Sequence, residues 1–339
     1  MKEIYVLAIQ QISAQQPLSA GWMDQPVSRT ESYARAADPD FRQYFEPGVT
    51  RRMGKILKRA LVTSQQVMDA SGVSCPDAVI TGTGLGCVEN TELFLTAMLQ
   101  EGEGLLKPTH FMQSTHNTVG AQIAIHAHCH SYNTTYAHGG ISFEIALLDA
   151  FMQLQHGRIR TALVGAHDEL TPDYFVILKR SGYLQEGADG FGSETSVAMM
   201  LGDRQQTNAL CRLRGVETCY GDDVRHALEH FLNASGCRME DIDAVMTGAN
   251  GFPDHDALYD EICPCLFAGK PLLRYKHLFG ESYTASALGM YAAAMCLHHR
   301  RIPAHMLQHQ MSEPSTYEHM LLYHRFGRKH HTFILLSGL

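Results

Sequence analysis

The sequence lacks any apolar run long enough to cross a membrane, and it lacks low-complexity and Pro/Gly-rich tracts. Only 18% of residues are charged, and the excess of acidic residues gives a formal net charge of -8, which disfavours a nucleic-acid surface. The apolar run at residues 4–9 is too short for a signal-peptide core and has no small-residue cleavage site. These absences predict a cytoplasmic globular protein whose partners are other proteins, not nucleic acid or membrane.

Nine cysteines are present, and without an export signal we expect them to be reduced thiols. The candidate metal ligands fall in three clusters: His126, His128, Cys129 and His130; Cys263 and Cys265; and His298 and His299. Their spacing fits no common zinc signature, in which ligands come as C-x2-C or H-x3-H pairs. The sequence therefore predicts no metal site, and no pattern in it indicates a cofactor.

An internal repeat is the strongest signal of architecture. The first copy contains Ala60-Leu61, Ala70-Ser71-Gly72 and the run DAVITGTG at 77–84, and the second contains Ala227-Leu228, Ala234-Ser235-Gly236 and DAVMTGAN at 243–250. Each copy predicts a helix ended by glycine, a buried strand and a glycine turn. We therefore predict an α/β protein of two related halves, residues 1–205 and 206–339.

Further apolar runs are typical of strands buried on both faces of a sheet. They are TALVG at 161–165, SVAMML at 196–201 and TFILL at 332–336. The stretch 133–157 predicts a strand at 134–137, a tight turn at Gly139-Gly140 and a helix at 141–156 that is capped by Gly157. Because that helix is apolar nearly all round, it should lie at the centre of the protein.

This strand, turn and buried helix, followed by GRIRTALVGAHDE at 157–169, resembles the β-ketoacyl synthases of the thiolase fold. In the second half, Gly248-Ala249-Asn250-Gly251 and the segment from Lys276 to Glu281 correspond to two further family motifs. The resemblance covers roughly residues 75 to 339. It implies a layered αβαβα fold that is built from two duplicated halves.

Carbon–carbon bond formation in this family needs a thiolate at the start of the buried helix and two imidazoles that polarise a thioester carbonyl. The resemblance puts the nucleophile position at Gly140, and no cysteine occurs from residue 130 to 150. It puts the two histidine positions at Asn250 and Glu281, and only Lys276 matches the family pattern. We predict no intact catalytic set; Lys276 and Glu281 either pair in the former pocket or form a surface pair.

Ser142 lies two residues beyond the turn and is the alternative nucleophile. Its surroundings lack the second glycine of a G-x-S-x-G elbow, and a serine at a helix start more often binds backbone N–H groups. The structural role is the better interpretation. As residues that contact a bound acyl chain we predict Ser142, Phe143 and Phe326.

The resemblance favours a subunit like a chain length factor, which pairs with a catalytic β-ketoacyl synthase and an acyl carrier protein in polyketide, aryl-polyene or fatty-acid-type biosynthesis. The alternatives are an active 3-oxoacyl synthase or acyltransferase with a nonstandard nucleophile, and a non-enzymatic homodimeric scaffold. We expect an obligate dimer, preferably hetero, that buries more than about 2,000 Å². Its interface should include the strand at 131–137, where Thr135 is a candidate contact.

Overall fold

A single ten-stranded mixed sheet runs through the protein, in the order β3-β2-β4-β5-β1-β6-β10-β9-β7-β8. The computed structural model describes residues 2–51, 53–102, 104, 106–187, 189–308 and 314–339. Its strands are β1 (Ile4–Ile12), β2 (Ala78–Gly82), β3 (Tyr132–Tyr136), β4 (Thr161–Asp168), β5 (Thr195–Gly202), β6 (Cys211–Tyr220), β7 (Ala244–Thr247), β8 (Leu272–Leu273), β9 (His319–Phe326) and β10 (His330–Ser337).

Helices connect these strands and cover the sheet. Within the described residues they are α1 (Pro47–Thr50), α2 (Lys55–Ser71), α3 (Val88–Glu101), α4 (Pro108–Ser114), α5 (Thr118–His126), α6 (Ser142–Gln155), α7 (Pro172–Arg180), α8 (Val224–Ala234), α9 (Pro253–Leu266), α10 (Lys276–Phe279) and α11 (Ser286–His299). No helix in this described part of the chain is both long and apolar enough to span a membrane.

The two halves repeat one strand order. The first five strands are arranged 3-2-4-5-1 and the last five 8-7-9-10-6, which is the same order with five added to each number. The halves meet where β1 and β6 pair antiparallel, with Ile4 opposite Leu213. The predicted duplication is therefore confirmed. The predicted boundary at residue 205 falls in the connection between β5 and β6 and stays a prediction.

Three apolar clusters divide the fold into five layers. One packs α2 and α5 on the outer face of the first half, and another packs α8 and α9 on the outer face of the second. The largest surrounds α6 and α11, with strand residues of both halves against them. Because each sheet portion buries both faces, the predicted αβαβα layering is confirmed.

The elements at the repeat match their sequence signals closely. Helix α2 ends at Gly72, which adopts a left-handed φ of 67°, and Gly236 after α8 has a φ of 64°. The predicted strand at 134–137 is shifted, because β3 pairs with β2 over Tyr132–Tyr136. Helix α6 is buried except along one side, where Met152 is 49% exposed.

Candidate functional site

The turn between β3 and α6 is closed by Ser142. Gly139 has a φ of 58°, which favours glycine, and Gly140 follows it in a short 3-10 turn. The Ser142 hydroxyl accepts from the His138 N–H at 2.8 Å and donates to the Gly139 carbonyl at 2.7 Å. The side chain is fully buried, so this serine stabilises the turn and is not placed as a nucleophile.

The ring of Phe326, at the end of β9, occupies the space beside Gly140. A Cβ added at Gly140 would lie only 2.7 Å from Cε2 and 2.8 Å from Cγ of that ring, well inside van der Waals contact. Any side chain at position 140, including cysteine, therefore requires the ring to move. Gly140, at the predicted nucleophile position, has no side chain that could react, and the Phe326 ring occupies the space where one would lie.

Glu281 and Lys276 form a buried ion pair, with the ammonium Nζ 2.8 Å from Oε2 and both side chains about 5% exposed or less. The surface alternative is therefore wrong. Burial raises the pKa of the Glu281 carboxyl, but the Lys276 charge and the hydrogen bonds from Lys276 and Asn250 outweigh it, so the pKa lies below its ordinary value. Glu281 is thus an anion whose Oε2 atom accepts from both Lys276 and Asn250.

Asn250 connects this pair to a histidine. Its Nδ2 group donates to Glu281 Oε2 at 2.6 Å and contacts His255 Nδ1 at 2.8 Å. Its backbone N–H donates to Asp256 at 2.8 Å, and its Oδ1 accepts from the Phe252 N–H at 3.1 Å. All of these contacts hold Asn250 in one orientation.

These residues line one cavity of about 180 Å³. It is lined by Gly140, Tyr183, Gly248, Asn250, His255, Leu258, Tyr259, Lys276, Glu281, Tyr283, His324, Arg325, Phe326 and Gly327. All four positions that the resemblance assigned to the catalytic set are among them, together with Phe326. No cysteine or serine belongs to this set of described lining residues, so the cavity wall offers no thiol or hydroxymethyl nucleophile.

Two predicted substrate contacts lie elsewhere. Ser142 does not line the cavity, because its hydroxyl faces the turn backbone. Phe143 does not line it either, because its ring is fully buried in the central apolar cluster around α6 and α11. Both residues follow the turn by only a few positions, but the first turn of α6 directs them into the protein interior.

The cavity contains groups that the sequence reasoning missed. His255 lies in the first turn of α9, and His324 lies on β9 two residues before Phe326. The His324 Nδ1 atom is 2.6 Å from Oε1 of Glu144, a fully buried carboxylate on α6. Tyr183 and Tyr283 stack at a 4.3 Å ring separation and close one side. Of these residues, only His255 could have been suspected from the sequence, because it lies close to Asn250 along the chain.

The histidines and cysteines that were weighed as candidate metal ligands lie apart from one another. Among the residues that the structure describes, no three histidine, cysteine, aspartate or glutamate side chains come close enough together to hold a metal ion. His126 instead contacts the Gln65 side chain at 2.6 Å, and Cys263 and Cys265 lie on α9, one buried and one exposed. None of these residues lines the cavity.

Residues 22–234 match the family model for the N-terminal domain of β-ketoacyl synthases. The chain therefore belongs to the β-ketoacyl synthase family. A search of curated proteins found no match.

Solved structures with the same fold include ketosynthase and chain length factor proteins. The chain is similar to the ishigamide ketosynthase/chain length factor, with 16% identity, a TM-score of 0.78 and coverage of 100% of this chain and 99% of that one. The ketosynthase ApeO in complex with its chain length factor ApeC, from Xenorhabdus doucetiae, gives 14% identity, a TM-score of 0.81 and coverage of 100% and 98%. A type II ketosynthase complex with its acyl carrier protein, AntDE:AntF, gives 14%, 0.80 and 100% of both chains. At these low sequence identities, the structural similarity shows a shared fold.

Proposed function

We propose that this chain is a noncatalytic partner of an active β-ketoacyl synthase, like a chain length factor, in polyketide, aryl-polyene or fatty-acid-type biosynthesis. One observation supports the proposal above all: the nucleophile position is a glycine whose side-chain space is taken by Phe326. Condensation requires a thiolate there, so the thiolate must come from another subunit. The solved complexes of ketosynthases with chain length factors provide a precedent for such a pair.

The remaining polar groups of the cavity also argue against condensation. Glu281 carries a negative charge where the family has an imidazole that polarises a carbonyl, and an anion cannot donate a hydrogen bond to that oxygen. The Asn250 amide group already hydrogen-bonds to Glu281 and His255, so it is not free to donate to a substrate carbonyl. An active enzyme that uses Ser142 is disfavoured, because both hydrogen-bonding roles of that hydroxyl are taken by the turn.

The edge of the sheet at β3 is a suitable place for a partner. Within the described residues β3 pairs only with β2, so its other side is available for strand addition. The hydroxyls of Tyr132 and Tyr136 reach Asp149 on α6, while Thr135 Oγ1 lies 2.8 Å from Thr81 Oγ1 on the opposite face of the strand. Thr135 thus packs inside the subunit, and a substitution there tests folding more than association.

Reconstitution tests the proposal. The cognate ketosynthase and acyl carrier protein are assayed with and without this chain, and rate and product length are measured together. We expect the complex to make product and the ketosynthase alone to make little or to make it with a different length. Equal rate and equal length without this chain would exclude the partner role.

The Gly140→Cys variant is the matched control for lost catalysis. We expect no acyl-enzyme on the isolated variant by intact-mass spectrometry, because Phe326 blocks the site and the Glu281 anion disfavours a thiolate. An acyl adduct on wild-type residues 133–142 would contradict the assignment. A homodimer that never binds a ketosynthase in sedimentation experiments would instead favour the scaffold alternative.

A further inference from the structure

A second cleft lies at the far end of α6 from the cavity. It has a volume of about 330 Å³, and Gln155, the last residue of α6, forms part of its wall. Helix α6 starts at the turn beside Gly140 and spans 14 residues, so the cleft lies about 20 Å from that turn. We call this space, which is bounded by residues 2–4, 155, 212–214 and 233–236, the corner cleft.

The corner cleft has a positive lining. Its cations are Lys2, Arg212 and Arg214, and Glu3 is the one carboxylate among the described lining residues. Three cations and one carboxylate leave an excess of two positive charges. The whole chain, in contrast, has a formal net charge of -8. The cleft is therefore a local positive region on an acidic protein, and it attracts anions.

Arg212 and Arg214 reach the corner cleft from one face of β6. Leu213 between them is buried in the central apolar cluster, so both arginines lie on the opposite face of the strand. The Nε atom of Arg212 is buried and has no hydrogen-bond partner among the described residues. Its ion pair with Glu3 is long, at 3.7 Å from Nη1 to Oε1, and the other oxygen of Glu3 accepts from the Tyr5 hydroxyl. Arg212 thus has a donor that an added oxyanion would satisfy.

The C-terminal end of α8 uses little of this positive charge. The carbonyls of Phe231, Leu232 and Asn233 accept from backbone N–H groups that follow the helix. The Ser235 carbonyl accepts from Nη2 of Arg214 at 3.0 Å. The helix end therefore engages one nitrogen of Arg214, and these carbonyls do not engage Arg212.

The internal repeat places a matching corner in the first half, and the chain itself fills it. Residues 70–72 at the end of α2 correspond to residues 234–236 at the end of α8. The Asn208 side chain donates to the Ala70 carbonyl, and Ala209 is buried in the outer apolar cluster beside α2. The duplicated fold thus does not require a cleft at this corner, and the opening beside α8 is particular to the second half.

We propose that the corner cleft binds a phosphate group, either as the free ion or as the monoester of a small molecule, with Lys2, Arg212 and Arg214 as its cationic contacts. The planar guanidinium fork matches two oxygens of a phosphate, and a phosphate dianion balances the excess of two positive charges. The exposed Asn233 amide offers a donor and an acceptor to the hydroxyl groups of a monoester. This site goes beyond the proposed partner role, and either can hold without the other.

Titration of the full chain alone with inorganic phosphate and with glycerol 3-phosphate tests the site. Isothermal titration calorimetry and phosphorus-31 NMR measure binding at constant ionic strength. We expect wild type to bind, Arg212→Gln to bind at least about tenfold more weakly, and Arg212→Gln combined with Arg214→Gln to show no binding. Arg204→Gln, at an exposed arginine of the connection between β5 and β6, removes the same charge outside the cleft and should bind as wild type does.

Absence of binding of both probes to wild type, or equal affinities of wild type and the double variant, would overturn the proposal. Arg212→Lys keeps the charge but lacks the fork, so its affinity should lie between those of wild type and Arg212→Gln. An Arg212→Lys affinity equal to that of wild type would refute recognition by the guanidinium. Thermal melts without ligand check that each variant is folded, and the single variants decide if the double variant is not.

The two probes also identify the source of the phosphate. Tighter binding of glycerol 3-phosphate assigns the ligand to a monoester, whereas equal or tighter binding of inorganic phosphate assigns it to the free ion, and both results support the site. Product formation with the ketosynthase reports separately on the partner role.

Discussion

The central helices of the two halves have the same length but different surroundings. Helices α6 and α11 each span 14 residues and start at a serine, Ser142 and Ser286. Every residue of α11 from Ser286 to Leu297 is buried. On α6, one side stays partly open through Ile145, Leu148 and Met152, whereas the position in α11 that corresponds to Met152 is the fully buried Cys296.

The two edges of the sheet show the same contrast, with the edge of the first half more open than the edge of the second. β3 is a five-residue strand at one end of the sheet with a free side among the described residues, and it lies next to the open side of α6. β8 at the other end has only two residues, and Leu273 makes a bridge to Leu307 beyond it. The edge of the second half is thus closed, whereas the first half keeps an open edge strand among the described residues.

The largest effect should come from the closed half, where Lys276→Met leaves the Glu281 carboxylate buried without its cation. We expect a loss of about 3–5 kcal/mol in the free energy of unfolding at pH 7, measured by urea denaturation. Lys276→Met combined with Glu281→Leu should recover much of it. A single variant as stable as wild type would show that the pair is solvated.

That loss should depend on pH. The pKa of folded Glu281 lies below its ordinary value, so the wild-type stabilisation is present above the unfolded carboxyl pKa of about 4.3 and is lost as pH falls through the folded pKa. The gap between wild type and Lys276→Met should therefore narrow below about pH 4. A gap that stays constant from pH 7 to pH 3 would contradict the assignment of charge.

The second prediction compares leucines on the two central helices. Leu288→Ala on α11 should cost about 2–5 kcal/mol in the free energy of unfolding, because the leucine is fully buried. Leu148→Ala, on the open side of α6, should cost about 1 kcal/mol or less in the isolated chain. Equal losses would mean that both helices are equally enclosed in solution.

Binding to a partner should depend on the open side of α6, whereas the stability of the isolated chain depends more on α11. Met152→Arg adds a charge to the open side of α6 and should weaken binding to the cognate ketosynthase by more than about tenfold, with little change in folding. Isothermal titration calorimetry measures the affinity. Tyr220→Arg, at a residue of β6 that is 70% exposed, is the control and should bind as wild type does. Unchanged binding by Met152→Arg would place the interface elsewhere.

The last prediction concerns Glu169, a buried carboxylate of the first half that has no ion-pair partner among the described residues. Burial raises the pKa of Glu169 to about 8, so the folded state holds a proton that the unfolded chain releases near pH 4.3. Its stabilisation is complete below that unfolded pKa and is lost as pH rises through 8. Glu169→Gln should thus match wild type in stability at pH 4 and exceed it by an amount that grows as pH rises from 4 to 9. Thermal melts of both proteins at pH 4 and pH 9 measure the difference. An equal difference in stability at the two pH values would refute the prediction.

Much of the fold was readable from the sequence because its signals are local. The repeated glycines end α2 and α8, and the apolar runs become β4, β5 and β10, since a sheet covered on both faces needs continuous hydrophobic strands. The start of α6 was predicted one residue early, because the Ser142 hydroxyl bonds to the turn and starts the helix at itself.

The site was only partly readable, because its members come together through tertiary packing. Motif positions could be counted along the chain, and Gly140, Asn250 and Glu281 do meet at one cavity. His324 lies far from them in sequence and has no motif of its own. The place of Phe143 depends on the direction in which the first turn of α6 points, which no sequence pattern specifies.

The contact between Phe326 and Gly140 has a consequence for the redesign of this chain. Any side chain introduced at position 140 meets the Phe326 ring and is accommodated only if that ring moves. The residue at position 140 and the rotamer of Phe326 are therefore coupled, so a design that places a thiol at the start of α6 must choose both residues together.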